Sequence, residues 1–194
     1  MAIANRVEAA GVARRELKKA SERLLLPHGV TDEATCIYRR SLETGLAKGK
    51  PLNQIAASSL YAACRERELP TTLDDVVAAS GVGRKAVARC YRLLVRELDL
   101  KMPIADPVEY IARVASRAKV SPKVEADARE MLSKAWKAGV TGGACPTGLA
   151  ASAVYMASIN EGEKMTEKRV ADAAGVAEST VRKENKRLRK VLAA

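Results

Sequence analysis

The chain has 194 residues and carries 34 Lys and Arg against 23 Asp and Glu, a formal charge of +11 with a pI near 9.7. That length allows one large domain or two small ones, and the charge favours nucleic acid as a partner over an anionic membrane or a merely solvated basic exterior. Hydrophobic content of 47% with only 3% aromatic and no Phe indicates small side chains packing close-set helices, so an all-α fold is expected.

In chain order, helices are predicted at about 4–25, 31–47, 51–68, 72–80 and 84–98, then at about 106–118, 122–138, 145–161, 166–174 and 178–192. The first carries Arg6, Glu8, Arg14 and Arg15 where a signal peptide needs an unbroken apolar run, and the later apolar runs are short, so neither export nor membrane spanning is supported. Pro27-His28-Gly29 reads as a turn. Gly45 with Gly49, Pro70, Gly81 with Gly83, Pro103, Pro122, the stretch 139–143 and Gly175 punctuate the remaining segments. Cysteines 36, 64, 90 and 145 lie far apart with His28 as the single histidine. No zinc-ligand spacing results, and reduced, buried structural cysteines are favoured. No acid, base, nucleophile or phosphate-loop arrangement marks an enzyme, and no cofactor is expected.

The chain is written twice. Ile55-Ala-Ala-Ser-Ser-Leu-Tyr61-Ala-Ala63 recurs as Leu149-Ala-Ala-Ser-Ala-Val-Tyr155-Met-Ala157, at a constant offset of 94 residues. Without a gap the register also joins Thr72 to Thr166, Val76 to Val170, Gly81 to Gly175, Val87 to Val181 and Leu98 to Leu192. Turn glycines and helix-face residues repeat together, so the duplicated object is a folded unit of several helices. The boundary is placed at Lys101-Met-Pro103, giving units 1–101 and 102–194. The third helix of each unit carries small residues nearly all round, which suits a central helix approached closely on several sides. Tyr61 and Tyr155 are read as core packing with a hydroxyl that reaches a polar partner.

The end of the chain carries the function. Ala171, Gly175 and Val181 fit the spacing A-x3-G-x5-V, which lets two helices meet, turn and seal their interface, as a helix-turn-helix requires. From Arg182 to Lys190 the sequence runs R-K-E-N-K-R-L-R-K, with six of nine residues cationic. Val181, Leu188 and Leu192 mark a buried stripe. Ser179, Thr180, Arg182, Lys183, Lys186, Arg187 and Lys190 fall on the other faces, placed to meet base edges at the amino end and phosphates along the flanks of a major groove. Neutralising about six phosphates gives a salt slope of roughly −5. In the first unit Val77 replaces the alanine, and Leu93, Leu94 and Val95 predict a more buried last helix. Arg84, Lys85, Lys48 and Lys50 remain there as cationic points.

These residues resemble a family: the core of archaeal transcription factor B, homologous to eukaryotic transcription factor IIB. The resemblance rests on Leu60-Tyr-Ala-Ala-Cys-Arg65, Arg89-Cys-Tyr-Arg-Leu-Leu-Val-Arg-Glu-Leu98, Asp106-Pro-Val-Glu-Tyr-Ile111, Val154-Tyr-Met-Ala-Ser158 and Ala174-Gly-Val-Ala-Glu-Ser-Thr-Val-Arg182. It implies two tandem cyclin-like five-helix repeats that dock on TATA-binding protein seated on promoter DNA, read the B-recognition element upstream of the TATA box, and help recruit RNA polymerase. Action on DNA in the archaeal cytoplasm follows, with a monomer expected when free.

By the resemblance, Arg182 matches the arginine that reads guanine in the element. Lys48 and Lys50 match a basic pair that meets downstream DNA or TATA-binding protein. Arg65, Arg84 and Lys85 are assigned to protein contact. Ser179 stands where the family usually has valine, Asn185 where an aromatic is common, and Ala144 where a basic residue often sits, so base preference and one phosphate contact depart from the pattern. The family's amino-terminal zinc ribbon, and the zinc it holds, have no counterpart here, which favours a fragment over a natural short paralogue. A stand-alone helix-turn-helix regulator and a cyclin-like protein-interaction module are the rival readings.

Overall fold

The computed structural model describes residues 2–139 and 143–193, and every regular element among them is helical. Two compact units divide after Ile104.

The first unit comprises α1 (Ala2–Arg23), α2 (His28–Glu43), α3 (Leu52–Glu66), α4 (Leu73–Ser80) and α5 (Arg84–Glu97), with α3 at its centre. Nine residues of α3 between Ile55 and Cys64 are buried, most of them Ala or Ser, and α3 packs against each of the other four helices. Small side chains on all its faces permit that approach. Leu17, Ile37, Ile55, Leu60 and Leu94 supply the bulk of the core around it.

The second unit repeats the plan with α6 (Ile111–Ala118), α7 (Pro122–Lys137), α8 (Pro146–Asn160), α9 (Glu167–Ala174) and α10 (Glu178–Leu192). Here α8 is central, with nine buried residues from Gly148 to Ser158. The segment predicted as one helix over 106–118 opens instead as a 3-10 turn, Pro107–Tyr110. Asp106 accepts from the Val108 N–H at 2.8 Å, and Pro107 fits a first helical position while having no N–H to give.

Two other boundaries differ from expectation. His28 and Gly29 lie inside the first turn of α2 rather than in a turn before it, with Pro27 as the flanking residue. A Cβ at Gly29 would stand 3.3 Å from the Arg67 guanidinium, which would have to give slightly. The predicted run to residue 47 stops at Glu43, because Gly45 adopts φ +76 and carries the chain into the turn that holds Lys48 and Lys50. Of the predicted punctuation at 139–143, residues 140–142 lie outside those described.

Candidate nucleic-acid interface

Local chemistry builds the carboxyl-terminal helix pair. Thr166 caps α9 by accepting from the Arg169 N–H at 3.2 Å, and α9 ends at Gly175, whose φ of +68 is the left-handed conformation that glycine adopts without strain. Only Val176 and Ala177 separate that glycine from α10. Ala171 is 2% exposed and Val181 fully buried, so the small residue and the valine seal the two helices against α8. Ser152 of α8 donates to the Val181 carbonyl at 2.9 Å. The first unit makes the same strut at the same register, from Ser58 of α3 to the Val87 carbonyl at 3.0 Å.

The inward face of α10 differs from the expected stripe. Val181 and Leu188 are buried, but Leu192 is 38% exposed, and the remaining buried positions are Glu184 and Asn185. Leu192 lies in the last turn, where the helix runs past its core. Glu184 takes the N–H of Cys145, at the start of α8, at 3.4 Å and pairs with Arg187 at 3.4 Å. Space for it exists because α8 has Gly148 at that point: a Cβ there would meet Thr180 Cγ2 at 2.8 Å and Glu184 Cγ at 3.3 Å. At the matching positions the first unit has Gln54 and Cys90, 3.9 Å apart. Bulk has moved from the central helix to the last one. Asn185 corresponds to Tyr91, which meets Tyr61 edge-on with centroids 4.8 Å apart. Tyr155, the counterpart of Tyr61, is half-buried against the core of its unit.

The outward face of α10 brings Ser179, Arg182, Lys183, Lys186, Arg187 and Lys190 together along one open cleft of about 520 Å³. Thr180 stands apart from them, its methyl directed at Gly148. Arg187 is held back by Glu184. Arg182 is 56% exposed and engaged by two carboxylates, Glu167 Oε2 at 3.1 Å from Nε and Glu178 Oε1 at 2.6 Å from Nη2. Lys183, Lys186, Arg189 and Lys190 are exposed, with no ion pair among the described residues. Sequence reasoning missed the Arg182 clamp and the Gly148–Glu184 fit. The second was visible as the exchange of Gln54 and Cys90 for Gly148 and Glu184 across the repeat.

In the first unit, Lys48 is exposed, and Lys50 donates to the Leu46 carbonyl at 3.0 Å. Arg65 donates to the Pro103 carbonyl at 3.1 Å, and Arg84 pairs with Asp74 at 2.6 Å. Lys85 is exposed. The expectation that α5 is the more buried terminal helix fails: Leu94 is buried but Leu93 and Val95 are only half-buried, and Arg89, Arg92 and Arg96 are exposed. Three consecutive apolar residues span about 200° of a helix, too wide for one buried stripe. Ala144 packs against the second core. Among the described residues no three His, Cys, Asp or Glu side chains gather as metal ligands, and no helix is long and apolar enough to cross a membrane.

Comparison with known proteins decides the family. The model of the transcription factor TFIIB repeat matches twice, at residues 8–97 and 100–191. The chain belongs to the transcription factor IIB family. Among its relatives, the transcription initiation factor IIB of Pyrodictium occultum is 50% identical over 91% of this chain and 57% of its own length. Those of Saccharolobus shibatae and Pyrobaculum islandicum are 44% and 47% identical, with 58% and 54% of their lengths covered. The chain thus spans a little over half the length of these archaeal relatives, which are named as transcription factors and not as enzymes. Of solved structures, a viral cyclin from herpesvirus saimiri aligns over 95% of this chain and 86% of its own, at 13% identity and a TM-score of 0.42. The tandem five-helix repeats are those of the transcription factor IIB family.

Proposed function

We propose that this chain is the promoter-binding core of a general transcription initiation factor. In this reading it joins TATA-binding protein on promoter DNA, lays α10 in the major groove at the upstream B-recognition element, and helps to recruit RNA polymerase. The observation that carries it is the outward face of α10: Ser179 and Arg182 at the amino end and an unpaired cationic row behind them, mounted on a glycine-turned, capped helix pair. An arginine in the groove can offer guanine two hydrogen bonds, and the lysines supply phosphate contacts that position it. With Arg182 and Arg187 already engaged by carboxylates, four cations of α10 are left for phosphates, so the salt slope expected from this helix is about −4. Ser179 gives up the apolar contact to a thymine methyl that the family's valine makes, and the base preference shifts accordingly.

In the first unit, Lys48 and Lys50 are assigned to DNA, and Arg65, Arg84 and Lys85 to TATA-binding protein. Lys48 and Lys85 are the exposed members of that set and carry its charge outward; Arg65 holds the Pro103 carbonyl and Arg84 holds Asp74 of α4.

A gel-shift titration on TATA-containing duplex tests the reading. Binding should be strongly cooperative with TATA-binding protein, and Arg182→Glu with Lys186→Glu should abolish the upstream contact. Tight binding that is indifferent to TATA-binding protein would favour a stand-alone regulator. Unchanged DNA binding by the double variant would favour a protein-interaction module.

A further inference from the structure

The two carboxylates that hold Arg182 have no role in the reading so far. Their geometry is selective. Of the three guanidinium nitrogens, Nε donates to Glu167 and Nη2 to Glu178. Nη1 carries neither of these bonds, so its two donors and the second hydrogen of Nη2 remain, and a guanidinium addresses a guanine edge through two such donors. Each carboxylate sits in the first turn of a helix, Glu167 in α9 and Glu178 in α10, where the amino-end dipole favours negative charge. Glu167 is only 21% exposed, so the clamp has one fixed jaw.

The internal repeat supplies a comparison within the same chain. At the positions of Glu167, Glu178 and Arg182 the first unit has Leu73, Arg84 and Ala88. Both acids and the arginine are absent together, although the capped α4, the glycine turn and the serine strut are all retained. The acids therefore accompany the arginine rather than the helix pair.

We infer that Glu167 and Glu178 are specificity-determining positioning residues that make Arg182 a reader of bases and a poor binder of phosphate. This rests on the reading that α10 enters a duplex groove. An unaccompanied arginine is drawn to any phosphate, which adds affinity without sequence information. Two flanking carboxylates repel a phosphate oxygen from the guanidinium but leave Nη1 and the second Nη2 hydrogen to the uncharged acceptors of guanine. They also fix the side chain in advance, so less rotamer freedom is lost on binding. Specificity here comes from weakening the wrong contact as much as from making the right one.

The test uses the full chain, its Glu167→Gln/Glu178→Gln variant and Arg182→Ala. Two probes are needed: a mixed-sequence duplex, and a pool with a fixed TATA box and randomised flanks bound in the presence of TATA-binding protein. Freeing Arg182 adds one phosphate contact, so the double Gln variant should bind mixed-sequence duplex about eightfold tighter at 0.1 M salt, with a slope steeper by about 0.9. Enrichment of guanine at the position lost in Arg182→Ala should fall at least threefold. Glutamine keeps the shape, and a merely stabilising ion pair would lower Tm while changing both affinities by one factor. That outcome, or an unchanged slope, overturns the inference. If Arg182→Ala selects the same flanks as the unaltered chain, the base-reading assignment itself fails. If Arg182→Ala loses a preference that the Gln variant keeps in full, the clamp alone is wrong.

Discussion

Replacing Gly148 with alanine sets two familiar effects against each other. In an exposed helix interior the change should stabilise by about 1 kcal/mol, since glycine is the poorer helix former. At this site the new Cβ would lie 2.8 Å from Thr180 Cγ2 and 3.3 Å from both Cys145 Cβ and Glu184 Cγ, against an ordinary carbon separation of about 3.5–4.0 Å. Threonine is β-branched, so its methyl cannot swing aside without leaving a preferred rotamer. The strain passes to the backbone of α10, which must move outward by roughly the missing 0.7–1.2 Å. Overpacking of this kind costs ~1–3 kcal/mol, so Gly148→Ala should be destabilised by ~0–2 kcal/mol net once the propensity gain of about 1 kcal/mol is counted. Urea denaturation measures it. Thr180→Ser, which deletes the clashing methyl, should restore at least half of the loss in the double variant, a coupling that independent sites would not show. Gly148→Ala more stable than the unaltered chain by the full ~1 kcal/mol of the propensity scale would refute the packing argument.

Other outcomes follow from the same contacts. Burial pushes the Cys64 thiol up to about 11 from an ordinary 9.0, so the folded state holds its proton where the unfolded chain releases it. Stability is fully present below about pH 9 and is lost between there and pH 11, by ~3 kcal/mol at most; denaturant midpoints across that range should fall less in Cys64→Ala. In native protein at pH 8, a thiol reagent should label Cys36 and Cys145, which are half-exposed, well before Cys64 and Cys90, which are buried; equal rates would contradict the packing. Ser152→Ala and Ser58→Ala each remove one buried strut to the last helix and should cost ~0.5–1.5 kcal/mol apiece in chemical denaturation, with only Ser152→Ala weakening DNA binding. Gly175→Ala forces a side chain into a φ of +68 and should cost ~1 kcal/mol in the same assay, whereas Gly11→Ala, on a helix with open space at the Cβ, should not destabilise.

What the sequence disclosed was set by local rules. Gly81 and Gly175 and the alanine-rich α3 and α8 act within a few residues of themselves, so a single pass along the chain locates them; Thr72 and Thr166, matched across the repeat, prove to be the caps of α4 and α9. The repeat then made each observation count twice. The misreadings had non-local causes. Gly29 looks like a turn residue, yet it lies in the first turn of α2, where a Cβ would stand 3.3 Å from the guanidinium of Arg67, 38 positions away. Leu93 to Val95 are the exception, since the 100° step of an α-helix, a local rule, already denies all three a single buried stripe.

The same reasoning explains why the face of α10 was legible and its wiring was not. Charge periodicity along one helix shows which side chains point outward, and six of the expected seven do line one cleft. Whether an outward cation is free depends on carboxylates from elsewhere: Glu184 reaches Arg187 from beneath the helix, and Glu167 reaches Arg182 from α9. On the proposed reading, six cations counted along the helix become four available to phosphates, and the expected slope moves from about −5 to about −4. Those two arginines differ in turn. Arg187 is tied to a buried acid that also anchors the start of α8 through the Cys145 N–H, so its pairing fastens the helix. Arg182 is half-exposed and tied through Nε and Nη2, so its pairing leaves the Nη1 donors unengaged by either acid. On the proposed reading one helix divides its cations into an anchor, a reader and a row of phosphate contacts, and the placing of the acids sets that division.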